Sequence, residues 1–176
     1  MEVILIRHTS VNVPKGTCYG QSDVPVAVTF EQEAEVTRQQ LAQYLPFDQV
    51  YASPLTRARK LAAYCGYPQP RLDNRLKEMY MGEWEMQLYD EMQGDYLDAW
   101  YKDYMHLPTP GGESFQDVAA RVGAFLDELK QKSFQRVAIF GHGGVLICAG
   151  IYGGLFKEAD AWDHQVPYGG IQKIEI

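Results

Sequence analysis

His8 follows Arg7 at the end of the aliphatic run Val3, Ile4, Leu5, Ile6, and a second apolar run, "VAIFGHGG" at 137–144, ends in Gly141 and His142. Two of the four histidines in the chain therefore stand just beyond strand-like segments. A neutral imidazole is a nitrogen nucleophile when its other nitrogen donates to a fixed acceptor. Cations beside it would hold the oxygens of a phosphoryl group, where phosphoryl transfer needs positive charge. Arg7 is one such cation. Arg57, in "SPLTRARK" at 53–60, is the strongest further candidate, because a planar guanidinium grips phosphate through two parallel hydrogen bonds. In that segment Ser53 reads as a helix N-cap and Pro54 as a first helical residue. Arg57, Arg59 and Lys60 then oppose the helix dipole by ~0.3–1 kcal/mol each. An anion held at the helix start removes the conflict, and so would long side chains extended into water.

A proton must also reach the leaving oxygen. "KEMYMGEWE" at 77–85 offers Glu78, Glu83 and Glu85. Glu78 precedes an apolar and aromatic stretch, a setting in which partial burial favours a protonated carboxyl. Spacing alone does not separate it from a solvated surface charge.

The elements that must position these groups follow from periodicity and turn signals. A strand over 2–7 is apolar on both faces, as a central parallel strand is. A Gly- and Pro-containing loop at 12–27 precedes a helix from Thr29 to Tyr44. A strand at 49–53, a helix from Pro54 to Cys65 and a short strand at Arg71–Asp73 come next. Helices are expected near 88–105, and "PTPGG" at 108–112 breaks the chain. Ser114 and Asp117 read as a capping box for a helix whose apolar face is Phe115, Val118, Val122, Phe125 and Leu129. A strand at 136–140, a helix at 143–152, an irregular stretch and a strand at 171–175 complete the order. Alternating strands and helices predict a three-layer α/β/α fold with a mostly parallel sheet, ligands lying outside the carboxyl ends of its strands. Both histidine motifs fall there.

At 176 residues the chain is read as one domain, 1–176, with an aromatic and acidic insertion at about 86–110 covering the site. Its net charge of −7, with no local basic patch, argues against a nucleic-acid partner. No apolar run approaches the ~20 residues of a membrane span, and the start lacks the order of a signal peptide. Cys18, Cys65 and Cys148 are unclustered, which fits a reducing cytoplasm. The expected partner is a small-molecule phosphate ester. Nothing in the sequence sets the oligomeric state.

"LIRHT", "SPLTRARK", "LKEMYMGEWE", "PTPGGESF" and "FGHGGVL", in that order, resemble the histidine phosphatase superfamily, the phosphoglycerate-mutase-like fold. The resemblance runs from residue 3 to about 150. It implies that His8 is the phosphorylated nucleophile, that Arg7, Arg57 and His142 bind the phosphoryl group, and that Glu78 is the proton donor and later the base for water. It implies neither a metal nor a cofactor. Thr9, Asn12, Tyr19, Gly20, Gln21 and Gly143 complete the expected phosphate- and substrate-binding set. "CYGQSDVPV", "EMYMGEWEMQ" and "PTPGGESFQ" are further similar to the branch that hydrolyses alpha-ribazole 5'-phosphate in cobalamin synthesis. A broad-specificity sugar or nucleotide phosphatase, a phosphoglycerate mutase and a binding protein without activity are the other readings. The chain departs from the superfamily at Thr9, where Gly is commonest, and at Pro14, where Asn is usual and Asn12 comes two places early. In the helix near 29–36, Gln32 stands where Gly is usual.

"CGYPQPR" at 65–71 has the Cys-x5-Arg spacing of cysteine phosphatases. Pro68 and Pro70 remove backbone N–H groups that such a loop needs, so that reading is set aside. The insertion aromatics Tyr80, Trp84, Tyr89, Tyr96, Trp100, Tyr101 and Tyr104 are expected mostly to pack together. Trp84 and Tyr101 are candidates for stacking on a flat heteroaromatic group. His106 and His164 are expected at the surface or in loops, His164 near the pocket mouth.

Overall fold

The computed structural model describes residues 1–176. Its elements are β1 (Glu2–Arg7), β2 (Thr17–Cys18), α1 (Phe30–Leu41), β3 (Gln49–Ala52), α2 (Thr56–Tyr64), β4 (Arg71–Leu72), β5 (Gln87–Leu88), α3 (Asp95–Lys102), α4 (Phe115–Lys130), β6 (Arg136–Gly141), α5 (Gly143–Tyr152) and β7 (Ile171–Glu175). The central sheet has the order β4-β3-β6-β1-β7. β7 runs antiparallel to β1, and the other pairings are parallel.

Strand alternation divides the core into two layers. Val3, Leu5, Val137 and Ile139 pack towards α4 and α5, while Ile4, Ile6, Ala138 and Phe140 pack towards α1 and α2. β1 and β6 are apolar on both faces because helices cover both. The face read for α4 is the one buried: Phe115, Val118, Val122, Phe125 and Leu129, joined by Leu126. Each such side chain stabilises the fold by roughly 1.5–3 kcal/mol. Its capping box is formed, with Ser114 Oγ accepting from the Asp117 N–H at 3.2 Å and Asp117 Oδ2 accepting from the Ser114 N–H at 2.9 Å.

Two local expectations need correction. α2 begins at Thr56, not Pro54, and Ser53 does not cap it. Asp23, from the remote 12–27 loop, accepts instead from the Thr56 N–H at 2.8 Å and the Thr56 hydroxyl at 2.6 Å. The 88–105 stretch holds one short helix, α3, after a single 3-10 turn at Tyr89–Glu91. It also contributes β5, which pairs with β2 and ties this stretch to the loop following His8.

Candidate active site

The site is assembled at the carboxyl ends of three neighbouring strands. β1 and β6 are in register up to the Arg7–Gly141 pair, so His8 and His142 are the next residues along each strand. The His8 N–H donates to the Gly141 carbonyl at 3.0 Å, and the Ser53 N–H, beyond β3, donates to the Phe140 carbonyl at 2.9 Å. Ser53, His142 and His8 thus lie abreast, all fully buried. The imidazole centroids are 5.2 Å apart with the rings inclined at 60°.

His8 Nδ1 lies 2.7 Å from the Thr9 carbonyl oxygen. A carbonyl only accepts, so Nδ1 carries the proton and Nε2 keeps its lone pair. Burial, together with the charges of Arg57 and Arg7, pushes the His8 pKa down to about 3. Burial and the charge of Arg57 likewise hold His142 well below the usual imidazole range. Both rings are therefore uncharged at neutral pH.

Two arginines supply positive charge. Arg57 is completely buried and is held by the Gly20 carbonyl at 2.6 Å and the Ser22 carbonyl at 2.8 Å. Its Nε is buried without a partner. Arg7 donates from Nη1 to the Val166 carbonyl at 2.6 Å, its guanidinium 4.2 Å from the Tyr168 ring centroid, and its Nε is also buried and free. Two buried guanidinium N–H groups without partners, beside the equally unpartnered His142 Nδ1, suit the site to an anion. Tyr19 and Tyr168 cover Arg57 and Arg7 and join through their hydroxyls at 3.0 Å.

Glu78 approaches from the segment after β4. Its carboxylate accepts from the Met79 N–H at 2.9 Å and from the Gly144 N–H in the first turn of α5 at 3.2 Å. Arg121 on α4 holds that segment through the carbonyls of Arg75, Lys77 and Glu78 at 2.6–3.0 Å. Glu113 pairs with Arg121 at 2.8 Å and accepts from the Tyr80 N–H at 2.8 Å. Through Glu113 the "PTPGGESF" motif thereby holds the segment that carries Glu78.

Beside this cluster a cavity of about 310 Å³ is lined by Arg7, Glu78, Gly143 and Gly144 at one end and by Met79, Met81, Tyr89, Trp100, Tyr104 and Trp162 elsewhere. Trp84 and Tyr101, the aromatics expected to face substrate, lie outside it. Trp84 packs edge-on against Trp100 at 5.3 Å, and Tyr101 is exposed. Trp162 comes from a 3-10 segment at Glu158–His164 that carries no sequence signal for this site.

Arg7, His8, Arg57, Glu78, His142, Tyr19 and Gly143 thus come together, whereas several of the other expected residues serve differently. Thr9 contributes its carbonyl, and its hydroxyl is buried without a partner. Gly20 offers its carbonyl to Arg57, and the Gln21 side chain donates to the Glu78 carbonyl at 2.9 Å. Glu85 anchors that loop by accepting from the Gln21 N–H at 2.7 Å and the Ser22 hydroxyl at 2.5 Å. Asn12 is exposed, and its side chain bonds to none of these residues. His106 pairs with Asp103 at the surface, and His164 stacks on Phe156 at 4.3 Å. Burial pushes the Cys65 thiol pKa up to about 12, the reverse of what a thiolate nucleophile requires.

Residues 3–176 match the family model described as histidine phosphatase superfamily (branch 1), and the chain belongs to that superfamily. Among its relatives is the adenosylcobalamin/alpha-ribazole phosphatase of Salmonella typhimurium, 31% identical, with all of this chain and 91% of the relative covered. A crystal structure of the alpha-ribazole phosphatase from Shigella flexneri superposes with a TM-score of 0.89 at 28% identity, covering 100% of this chain and 91% of that one. A phosphoglycerate mutase structure from Thermus thermophilus superposes with a TM-score of 0.79 at 28% identity, covering 99% and 93%. The chain is accordingly a phosphatase-class enzyme of the phosphoglycerate-mutase-like α/β fold. No helix is long and apolar enough to cross a membrane.

Proposed function

We propose that this enzyme hydrolyses alpha-ribazole 5'-phosphate to alpha-ribazole and phosphate, through a phosphohistidine at His8. Nε2 of His8 attacks phosphorus as the bond from phosphorus to the ester oxygen breaks. Glu78 gives its proton to the departing oxygen. Water, deprotonated by Glu78, then attacks the phosphohistidine, the N–P bond breaks, and phosphate leaves. Arg7, Arg57 and His142 donate to the phosphoryl oxygens throughout, replacing solvent with fixed donors. The observation that carries this reading is the bond from His8 Nδ1 to the Thr9 carbonyl, which leaves Nε2 as an uncharged nucleophile beside two guanidiniums whose Nε atoms are buried and free.

The substrate reading is supported by two observations. Relatives that span the whole chain bear that activity in their names. The cavity wall beyond the phosphoryl cluster is aromatic, which suits a flat heterocycle. A phosphoglycerate mutase must hold a second acidic group, and Arg7 is the only cationic side chain lining the cavity. A broad-specificity phosphatase using the same chemistry is the remaining alternative. The free thiols suit a cytoplasmic setting.

The test compares hydrolysis of alpha-ribazole 5'-phosphate, ribonucleotide 5'-phosphates and phosphoglycerates, each with a chelator present. The highest kcat/KM is expected for the first, undiminished by chelator. A preference for nucleotides or phosphoglycerates would overturn the substrate assignment, and loss of activity with chelator would overturn the mechanism.

A further inference from the structure

We propose that Ser53 fixes the tautomer of His142, so that Nδ1 carries the proton and presents it to the transferring phosphoryl group. The tautomer stands on hydrogen-bond geometry alone; its catalytic consequence rests on the phosphohistidine reading above.

Ser53 Oγ lies 2.7 Å from His142 Nε2 and accepts from the Leu55 N–H at 3.2 Å. A hydroxyl has one proton and two lone pairs. The Leu55 N–H takes one lone pair, and the imidazole is the other partner of Oγ. If Nε2 carried the imidazole proton, Oγ would accept twice, and its own proton would be buried with no acceptor. Nδ1 would then offer a bare lone pair to the anion site. A buried donor left unpaired forfeits its bonds to water with nothing in return, so this arrangement is disfavoured. In the reverse arrangement the hydroxyl donates to Nε2. The single imidazole proton then sits on Nδ1, an atom that is itself buried without a partner. That proton is what an incoming phosphoryl oxygen needs, whereas a lone pair there would repel it.

The same geometry explains the irregular start of α2. Pro54 and Leu55 precede the helix; Leu55 is extended (ψ 136°), and its N–H donates to Ser53 Oγ rather than continuing a helical turn. Asp23 takes over the capping that Ser53 would otherwise perform. The serine is thereby free to serve the histidine of the adjacent strand end. It touches no reacting atom and acts through His142, which makes it a positioning residue.

The imidazole tautomer can be read directly from long-range proton–nitrogen correlation spectra of the uniformly 15N-labelled native enzyme at neutral pH. The expected pattern for His142 is a protonated Nδ1 with a bare Nε2. A protonated Nε2 would overturn the proposal without reference to activity. Ser53→Ala should shift His142 towards a tautomer mixture and lower activity by about tenfold to a hundredfold, mainly in kcat. In a His142→Ala background the same substitution should cost less than about twofold, because its effect passes through the missing ring. A full additional tenfold loss in that background would show that Ser53 acts elsewhere, and would overturn the proposal. Absence of a trapped phosphohistidine would remove the catalytic reading while the spectrum continued to decide the tautomer.

Discussion

A β-carbon built on Gly144 would lie 2.5 Å from Oε1 of Glu78. A β-carbon fits there only if the carboxylate moves, so glycine at 144 is what lets Glu78 keep its place against the α5 amide. Gly144→Ala is expected to displace Glu78 and lower kcat by about tenfold to a hundredfold, with the melting temperature nearly unchanged. Gly143→Ala should be milder, since its β-carbon would meet the Arg7 guanidinium at 3.3 Å, an overlap relieved by a shift of a few tenths of an ångström. Steady-state kinetics of the two variants would refute this ordering if Gly143→Ala proved the more damaging.

Replacing the proposed nucleophile gives a sharper outcome. His8→Asn should lower turnover by at least about a thousandfold and abolish any acid-labile phosphoenzyme seen on rapid quenching with substrate. Unimpaired turnover in that variant would end the phosphohistidine mechanism.

The aromatic wall should read the leaving group. Tyr104→Leu and Trp162→Leu are expected to raise KM for alpha-ribazole 5'-phosphate by about fivefold to tenfold, and to raise KM for a small alkyl phosphate much less. Tyr101→Leu, in an apolar recess on the far side of Trp100 and Tyr104, should raise both less than those two substitutions do. Equal effects on the two substrates would remove the stacking role.

Keeping His8 uncharged has a measurable cost in acid. The folded imidazole titrates at about 3, against an ordinary value of 6.5. Between those values the unfolded chain binds the extra proton, so stability falls as pH falls. Each such imidazole contributes a slope of roughly 1.4 kcal/mol per pH unit inside the window. Denaturant melts of His8→Asn should therefore depend less steeply on pH than those of the native enzyme, below pH 6.5. Parallel curves would contradict the depressed pKa.

Much of this arrangement was legible in the chain. The β1, β6 and β7 segments, α5 and the capping box of α4 follow from periodicity and local turn chemistry, which act over a few residues. The strand-end rule brings His8 and His142 together without knowledge of the pairing register. Ser53 was read as a cap because serine before proline and an apolar run signals one. A bond to a neighbouring strand end overrode it, and only the β3–β6 register reveals that bond. Trp162 and Tyr168 were missed for a related reason. They reach the site from a 3-10 segment and the loop beyond it, neither of which has a period to read. That insertion aromatics line a pocket was legible, but which of them do so was not: Trp100 and Tyr101 are neighbours on one short helix and face different ways, and Trp84 stands on a separate 3-10 turn.

In the proposed mechanism, the parts that handle phosphorus and the parts that meet the rest of the ester come from different stretches of chain. The former hang on β1, β3, β6 and the segments bound to them, fixed by core packing on both sides. The aromatic wall is built largely from Tyr89, Trp100, Tyr104 and Trp162, which border the cavity without belonging to the sheet. Substrate preference can therefore drift by exchange of these few rings while the transfer machinery stays intact, and a library confined to those positions should yield enzymes that retain turnover but differ in taste.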